Sequence, residues 1–327
     1  MEKIAETKCL LIGAGTLGCN VARVLIGWGV QNITFVDNGT VSYSNPVRQS
    51  LYNFQDCLNG GKPKATAAAE SLRTISPSIN AQGVILNVPM PGHSIPNDLI
   101  PETLDIVKKL DELIEQHDAI FLLTDSREAR WLPTVIAAAK NKICINSALG
   151  FDSFLVIRHG CSPYVPIGPG ECRVGCYFCN DISAPQDTQK HRTLDQQCTV
   201  TRPGLSLIAS SFAVELLVLL LHHPSGNRAT YEEGIPITQE TPSPLGLIPH
   251  QIRGFLTHFS NVLGISDSFD KCTACSTTVI NLYLENPTAL VVRSLNEPGF
   301  LEDITGITEL LAEVADVSLE WDDEFDD

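Results

Sequence analysis

Positive charge is what this chain has least of. Its 327 residues carry 22 Lys and Arg against 38 Asp and Glu, a formal net charge of −16. That balance leaves nothing to neutralise phosphates along a strand and so excludes a nucleic-acid partner. A basic protein partner suits it better. Also missing is any stretch that joins a basic start, an apolar core and a small-residue cleavage site. The eleven cysteines are therefore expected to be cytosolic thiols, serving as ligands, nucleophile or core rather than as disulfides. No transmembrane segment is expected. The most apolar run, Leu205 to Leu221, contains Glu215 and ends in His222-His223-Pro224, the mark of a buried helix. Internal repeats are absent. Hydrophobic residues make up 43%, enough at this length for one large domain or one domain with insertions.

What is present begins with a glycine-rich turn, Gly13-Ala-Gly15-Thr-Leu-Gly18. Lys8 to Ile12 before it reads as a buried strand, and Leu17 to Gly29 after it as a helix. Glycines at these positions let backbone approach a phosphate or pack closely on a sheet. Asn32 to Val36 reads as the second strand and puts Asp37 at its carboxyl end, where a carboxylate can hold a ribose hydroxyl. A dinucleotide-dependent redox enzyme needs no more than this. The chain adds Ser44-Asn45-Pro-Val-Arg48-Gln49 and the run Lys62-Pro-Lys64. Fixed cations beside a ribose site suit a triphosphate, since Arg offers a fork and Lys a point charge to oxygens that grow more negative during attack.

Strand and helix then alternate. Lys64 to Ile75 is predicted helical, Gln82 to Asn87 a strand, Glu102 to Gln116 a helix, Ala119 to Thr124 a central parallel strand and Arg127 to Lys140 a helix. Ile143 to Asn146 and Phe154 to Arg158 are predicted strands. The fold class this implies is α/β, a doubly wound, mostly parallel sheet that binds ligands at the strands' carboxyl ends. Asp125 sits at such an end, as a magnesium ligand or base, or as a helix N-cap. Residues 162–202 break into an irregular, proline- and cysteine-rich segment. An apolar helix follows over Gly204 to Leu221, then surface loops over 224–250 and an amphipathic helix over Gln251 to Leu263.

Cys176-Tyr-Phe-Cys179 and Cys272-Thr-Ala-Cys275 are two hooks, each able to give two thiolates to one tetrahedral zinc. Such a structural site would clip the C-terminal part back onto the domain, with Cys172 as a possible substitute ligand. Cys9, Cys19 and Cys144 fall in predicted strands or helices and read as core. Cys198 stands out by its polar surroundings, the helix that follows it and Arg202 nearby, all of which favour a thiolate. His191, seven residues earlier, is a candidate to assist it. The end of the chain, Glu320-Trp321-Asp322-Asp323-Glu324-Phe325-Asp-Asp327, sets two aromatics among six acids and is expected to be a disordered tail over 316–327.

These residues resemble the adenylation domain of the ubiquitin-activating superfamily, which includes the bacterial adenylyltransferases of molybdopterin and thiamine biosynthesis. Within it, Phe35 to Gln49, Asp125 to Pro133, Ala148 to Ser153, Arg192 to Gly204 and Ile248 to Phe255 are most similar to its autophagy branch. The resemblance implies an adenylation domain over 1–315, with a catalytic-cysteine loop at 180–203. It implies that Asp37 holds the ribose, Arg48 and Lys64 neutralise the triphosphate of ATP, Asp125 holds Mg2+, and Cys198 forms a thioester with the modifier's terminal glycine. Gly13, Gly15, Gly18, Asn45 and Gln49 complete the implied nucleotide site, and Zn2+ sits on the two hooks. The implied partners are two autophagy ubiquitin-like modifiers, their conjugating enzymes and a second copy in a homodimer. The implied location is the cytoplasm, at the site of autophagosome formation. Relatives recruit conjugating enzymes through a large N-terminal domain, expected to be missing because Met1 lies only seven residues before the first strand. The separate catalytic-cysteine and C-terminal ubiquitin-like domains of larger relatives are also expected to be absent, so Cys198 is expected to work from a loop. Trp321, Asp322, Asp323, Glu324 and Phe325 are implied to capture the modifier.

Overall fold

The computed structural model describes residues 2–168, 172–188, 200–231 and 245–322, with side chains of the last helix as far as 314. Among the described residues eight strands form one sheet in the order β3-β2-β1-β4-β5-β6-β7-β8. They are β1 (Lys8–Ile12), β2 (Asn32–Val36), β3 (Asn80–Val84), β4 (Ala119–Leu122), β5 (Ile143–Leu149), β6 (Ser153–Arg158), β7 (Gln251–Phe255) and β8 (Ser260–Gly264). The pairings from β3 through to β5 are parallel, and β6, β7 and β8 continue antiparallel.

After a short α1 (Glu2–Glu6), the crossovers are α2 (Thr16–Gly27), α3 (Lys64–Ile75), α4 (Ile100–Gln116) and α5 (Glu128–Ala139). Alternate strand residues divide between two cores. Cys9, Leu11, Ile33, Phe35 and Phe121 pack with α2, α3 and the long apolar α6 (Pro203–His222). Leu10, Ile12, Ile120 and Leu122 pack with α4 and α5, joined there by α7 (Thr277–Glu285), α8 (Pro287–Asn296) and α9 (Phe300–Thr305). A continuous apolar strand is what both covered faces require. α6 is long and apolar enough to cross a membrane by composition, and it lies mostly buried against α2, β5 and β6.

Register positions the site. Ile12 pairs with Val36 on one side and with Leu122 on the other, so β1, β2 and β4 end level. Gly13, Asp37 and the chain from Leu123 to Asp125 therefore emerge together at one edge, where the strand order reverses.

Three expectations need correction. Gln251 to Leu263 is not a helix but the β7–β8 hairpin, joined by a 3-10 turn at Leu256–His258. Its apolar residues recur near helical spacing, but Gly254 lies flat under the Phe154 ring, where a Cβ would come within 1.9 Å, and β6 offers an open edge to pair. The segment after α6 is not wholly surface loop, because Ala229, Ile248 and His250 are buried. Arg158, also buried, donates to the carbonyls of Pro249, Ala229 and Thr230. The acidic end is helical further than expected: α10 (Ile307–Asp322) carries helix through 316–322, and 323–327 lie outside the described residues. Residues 309–315, rich in Leu, Ala and Glu, form a strong helix that the more acidic residues after them continue.

Candidate active site

The turn after β1 is shaped by contacts that leave no room for side chains. Gly13 has φ +110, donates its N–H to the carbonyl of Val36 at 2.8 Å, and would place a Cβ 2.9 Å from the carbonyl carbon of Leu123. At Gly18 a Cβ would meet the Gly13 oxygen at 2.1 Å, so α2 can press onto the turn only with glycine there. Gly15 caps α2 without a side-chain bond and faces open space. The positive end of α2 is thus free to face an anion.

Asp37 is held by backbone. Its Oδ2 accepts from the N–H of Ala14 and its Oδ1 from that of Gly39, both at 2.7 Å. Each oxygen keeps a lone pair for a ligand hydroxyl. Asn45 is buried; its Oδ1 accepts from the Ser42 N–H at 3.0 Å and its carbonyl accepts from the N–H groups of Arg48 and Gln49. That tight turn presents Arg48 outward, with Nη1 donating to the Ser44 carbonyl at 2.7 Å. Gln49 is buried, and among the described residues its Oε1 has no partner. Lys64 begins α3, half-buried on the cleft wall. Lys62 does not join it: that ammonium pairs with Asp56 at 3.0 Å and Glu70 at 3.4 Å.

The opposite wall holds two arginines that the sequence reading passed over. Arg130, on α5, is 3% exposed and donates to Asn146 Oδ1 at 3.0 Å and to the Thr124 carbonyl. Among the described residues its Nε has no partner and no carboxylate pairs with it. Burial pulls its pKa below the ordinary guanidinium range, against the opposing effects of Tyr177 and Asp125. Arg127 is tied to Asp181 at 2.8 Å and to the Ser183 carbonyl at 3.1 Å. Both lie in the Asp125–Pro133 stretch, and their spacing of three along a helix was the available signal. Asp125 is exposed and does not cap α5; the Ser126 hydroxyl accepts from the Ala129 N–H instead, at 3.3 Å.

Together these groups line a cleft of about 740 Å³. Among the described residues its wall has four cations, Arg48, Lys64, Arg127 and Arg130, against two carboxylates, Asp37 and Asp125. Leu86, Val88 and Met90 form an apolar flank. Unpartnered polar atoms of Gln49, Thr124, Arg130 and Thr201 belong to residues on the same wall. A concentration of positive charge in so acidic a chain, with a helix N-terminus and a backbone-held carboxylate, fits a polyanionic nucleotide.

Cys198 and His191 lie outside the described residues. Thr201, three residues after Cys198 in sequence, lines the cleft, and Arg202 donates its N–H to the Phe151 carbonyl at 2.9 Å. Cys9, Cys19 and Cys144 are buried as expected. Burial pushes Cys19 up to about 12 and the other two further, which removes them as thiolates at neutral pH. Cys57 and Cys161 are also buried, while Cys172, the possible substitute ligand, is exposed and does not join the four hook cysteines.

The two hooks meet. The sulfurs of Cys176, Cys179, Cys272 and Cys275 all lie within 4.8 Å of one another, with Cys176–Cys272 at 3.6 Å and Cys179–Cys275 at 3.4 Å. Backbone N–H groups of Phe178, Phe269 and Ala274 point at these sulfurs, a screen that favours thiolate. Hydrogen bonds from Cys176, then from Cys272 and Cys275, hold Cys179 below the usual thiol range. Four soft donors at this spacing could hold zinc in a closed tetrahedron.

The ThiF family model matches residues 1–241. The ubiquitin-like modifier-activating enzyme ATG7 of Rattus norvegicus is 50% identical over 98% of this chain and 50% of its own length. The ATG7 enzymes of Dictyostelium discoideum (50% identical, 100% of this chain, 47% of its own) and Cryptococcus neoformans (52%, 99%, 50%) are similar. The chain spans about half the length of the curated relatives it matches. Escherichia coli MccB, crystallised with ATP, shares the fold at TM-score 0.58 and 17% identity, over 84% of this chain and 68% of that one. PaaA does so at TM-score 0.53 and 16% identity, over 81% and 65%. Every residue lining the cleft falls within the matched region, and the chain belongs to the ThiF family.

Proposed function

We propose that this chain is the adenylating and thioester-forming part of an ATP-dependent activator of autophagy ubiquitin-like modifiers. The observation that carries the reading is the cleft itself, in which the buried Arg130, with no carboxylate partner among the described residues, shares the wall with Arg48, Lys64, the α2 N-terminus and a backbone-held Asp37. The ATG7 relatives at about half identity supply the substrate class.

In this reading Asp37 holds the ribose, the Leu86–Met90 flank takes the base, and Arg48, Lys64 and Arg130 hold the phosphates. The modifier's terminal carboxylate attacks the α-phosphorus, the bond to the bridging oxygen breaks, and pyrophosphate leaves with its electron pair. Fixed cations lower this barrier because they meet charge that grows on the phosphate oxygens without having to reorganise. Asp125 would hold Mg2+, which when bound draws charge from those oxygens. The Cys198 thiolate then attacks the acyl carbon of the adenylate and AMP departs, leaving a thioester for transfer to a conjugating enzyme. Zinc on Cys176, Cys179, Cys272 and Cys275 would be structural, since four thiolates leave no open position. A homodimer, a cytoplasmic location and recruitment to forming autophagosomes belong to the same reading, as does capture of the modifier by Trp321 to Phe325.

The test is incubation with each modifier and Mg-ATP, followed as pyrophosphate exchange and as a reducible adduct on non-reducing gels. Exchange and adduct together are expected. Binding of NAD in place of ATP would return the cleft to redox chemistry, and modifier binding with neither exchange nor adduct would make the chain a scaffold.

A further inference from the structure

The hydroxyl of Tyr52 lies behind the cleft rather than on its wall. The side chain is buried, 6% exposed, on the loop between β2 and α3. Its Oη donates to the Ala14 carbonyl at 2.6 Å and lies 3.1 Å from the Lys64 carbonyl. A phenol has one hydrogen, so the two carbonyls share it, the shorter contact taking the larger part.

Those two carbonyls belong to different segments beside the cleft, the glycine turn and the start of α3. Ala14 is in the glycine turn, and its N–H donates to Asp37 Oδ2 at 2.7 Å. The other oxygen of Asp37 accepts from the Gly39 N–H, also at 2.7 Å. The Gly39 carbonyl accepts from the Lys64 N–H at 2.9 Å. The Lys64 carbonyl returns to Tyr52. The path Tyr52–Ala14–Asp37–Gly39–Lys64 is thus a closed ring of hydrogen bonds, and Tyr52 is its only side-chain hydroxyl. Burial holds the phenol far above its ordinary pKa, so at neutral pH it is an un-ionised donor.

We propose that Tyr52 is a positioning residue for the nucleotide, fixing the glycine turn and Asp37 at a set separation from Lys64. The inference rests on the nucleotide reading of the cleft. Asp37 and Lys64 serve different parts of one ligand, ribose and phosphate, and stand at the two ends of the β2–α3 connection, Asp37 just after β2 and Lys64 at the start of α3. The bonds through Asp37 and Gly39 join these two ends to each other and to the glycine turn. Tyr52 links them from beneath, so a ligand spanning both groups meets a gauge already set, and less ordering is left for binding.

Tyr52→Phe keeps the ring and removes only the hydroxyl. Calorimetric affinities for ATP and for adenosine are measured on the wild-type and variant chains, with thermal melting alongside. Affinity for ATP is expected to fall roughly three- to tenfold, the ratio one buried hydrogen bond is worth, while that for adenosine stays close to wild type. Lys64→Met is expected to cost less in the Tyr52→Phe background than in the wild type, because the ammonium is worth less once the backbone that carries it is no longer held in place. Equal losses for ATP and adenosine, an unchanged ATP affinity, or additive costs with Lys64→Met would each overturn the proposal. So would failure of the Phe variant to fold, since the hydroxyl would then serve the core. A wild-type chain that binds neither ligand overturns the nucleotide reading and this inference with it; a wild type that prefers ATP, with the preference intact in Tyr52→Phe, overturns this inference alone.

Discussion

The guanidinium of Arg130 lies over the ring of Tyr177, its carbon 5.0 Å from the ring centroid. Tyr177 stands between Cys176 and Cys179, so one aromatic contact joins the nucleotide cleft to the four-cysteine cluster. A site that holds four thiolates together also holds this ring beneath the buried cation. Tyr177→Leu is expected to leave the metal content unchanged and weaken ATP binding by about 0.5–2 kcal/mol, the range of a partly desolvated cation–π contact. Titration calorimetry with metal analysis of the same sample checks this; unchanged ATP affinity would make the contact incidental.

One zinc per chain is expected in freshly purified protein. Cys275→Ser should release it and lower the melting temperature, because α7 and the loop carrying Cys176 would lose their common tether. ATP affinity should fall only as far as Tyr177 moves, so the loss should not exceed that of Tyr177→Leu. Protein free of zinc by elemental analysis would remove this role from the hooks.

Adenylation and thioester formation should separate. Cys198→Ala is expected to keep modifier-dependent pyrophosphate exchange and lose the reducible adduct, while Asp125→Ala loses both. Cys198→Ser should trap an oxyester, since a hydroxyl can still accept the acyl group. Loss of exchange in Cys198→Ala would place the thiol in the nucleotide site or the core instead.

His117 ties stability to pH. It is 8% exposed, with Nδ1 2.6 Å from the Leu113 carbonyl and Nε2 2.8 Å from the Thr34 hydroxyl on β2. The carbonyl can only accept, so Nδ1 carries the proton and Nε2 accepts from Thr34. Burial lowers the pKa, outweighing the Leu113 carbonyl and Asp118, so the folded chain takes up this proton at lower pH than the unfolded one. The contribution is therefore present above the unfolded value of about 6.5 and lost as pH falls below it. His117→Gln should flatten the fall in melting temperature between pH 7 and 5; an equally steep fall in the variant would assign that slope to other groups.

Deleting residues 320–327 is expected to weaken modifier binding and slow adduct formation while leaving ATP binding intact. With α10 helical as far as Asp322, Trp321 lies on a continuing helix rather than on loose chain. Trp321→Ala should cost more than any single acid, since aromatic anchors dominate such contacts. Added salt should mimic part of the deletion, because exposed charges are screened beyond roughly 8 Å at physiological ionic strength. Equal modifier affinity for full-length and truncated chains at low salt would make the tail a solubilising device.

Much of the first half was legible because its signals are local. Lys8–Ile12, Asn32–Val36 and Lys64–Ile75 begin and end where the residue pattern changes, since an apolar run, a glycine turn and a proline act on their immediate neighbours. The two cysteine hooks were readable for the same reason: each pair is set by a spacing of three. What needed the tertiary structure was everything decided by residues distant in the chain. Gly254 becomes strand because Phe154, a hundred residues earlier, lies on it and β6 offers an edge. Lys62 and Lys64 look alike in sequence, but Asp56 and Glu70 neutralise the first while the second faces the cleft. Arg130 reads as one more helix charge until folding buries it beside Asn146 and Tyr177 without a carboxylate. Nothing around Tyr52 in the sequence marks it, and only the fold sets its hydroxyl between the Ala14 and Lys64 carbonyls. Periodicity belongs to the chain; the counterion, the burial and the partner of each side chain belong to the fold.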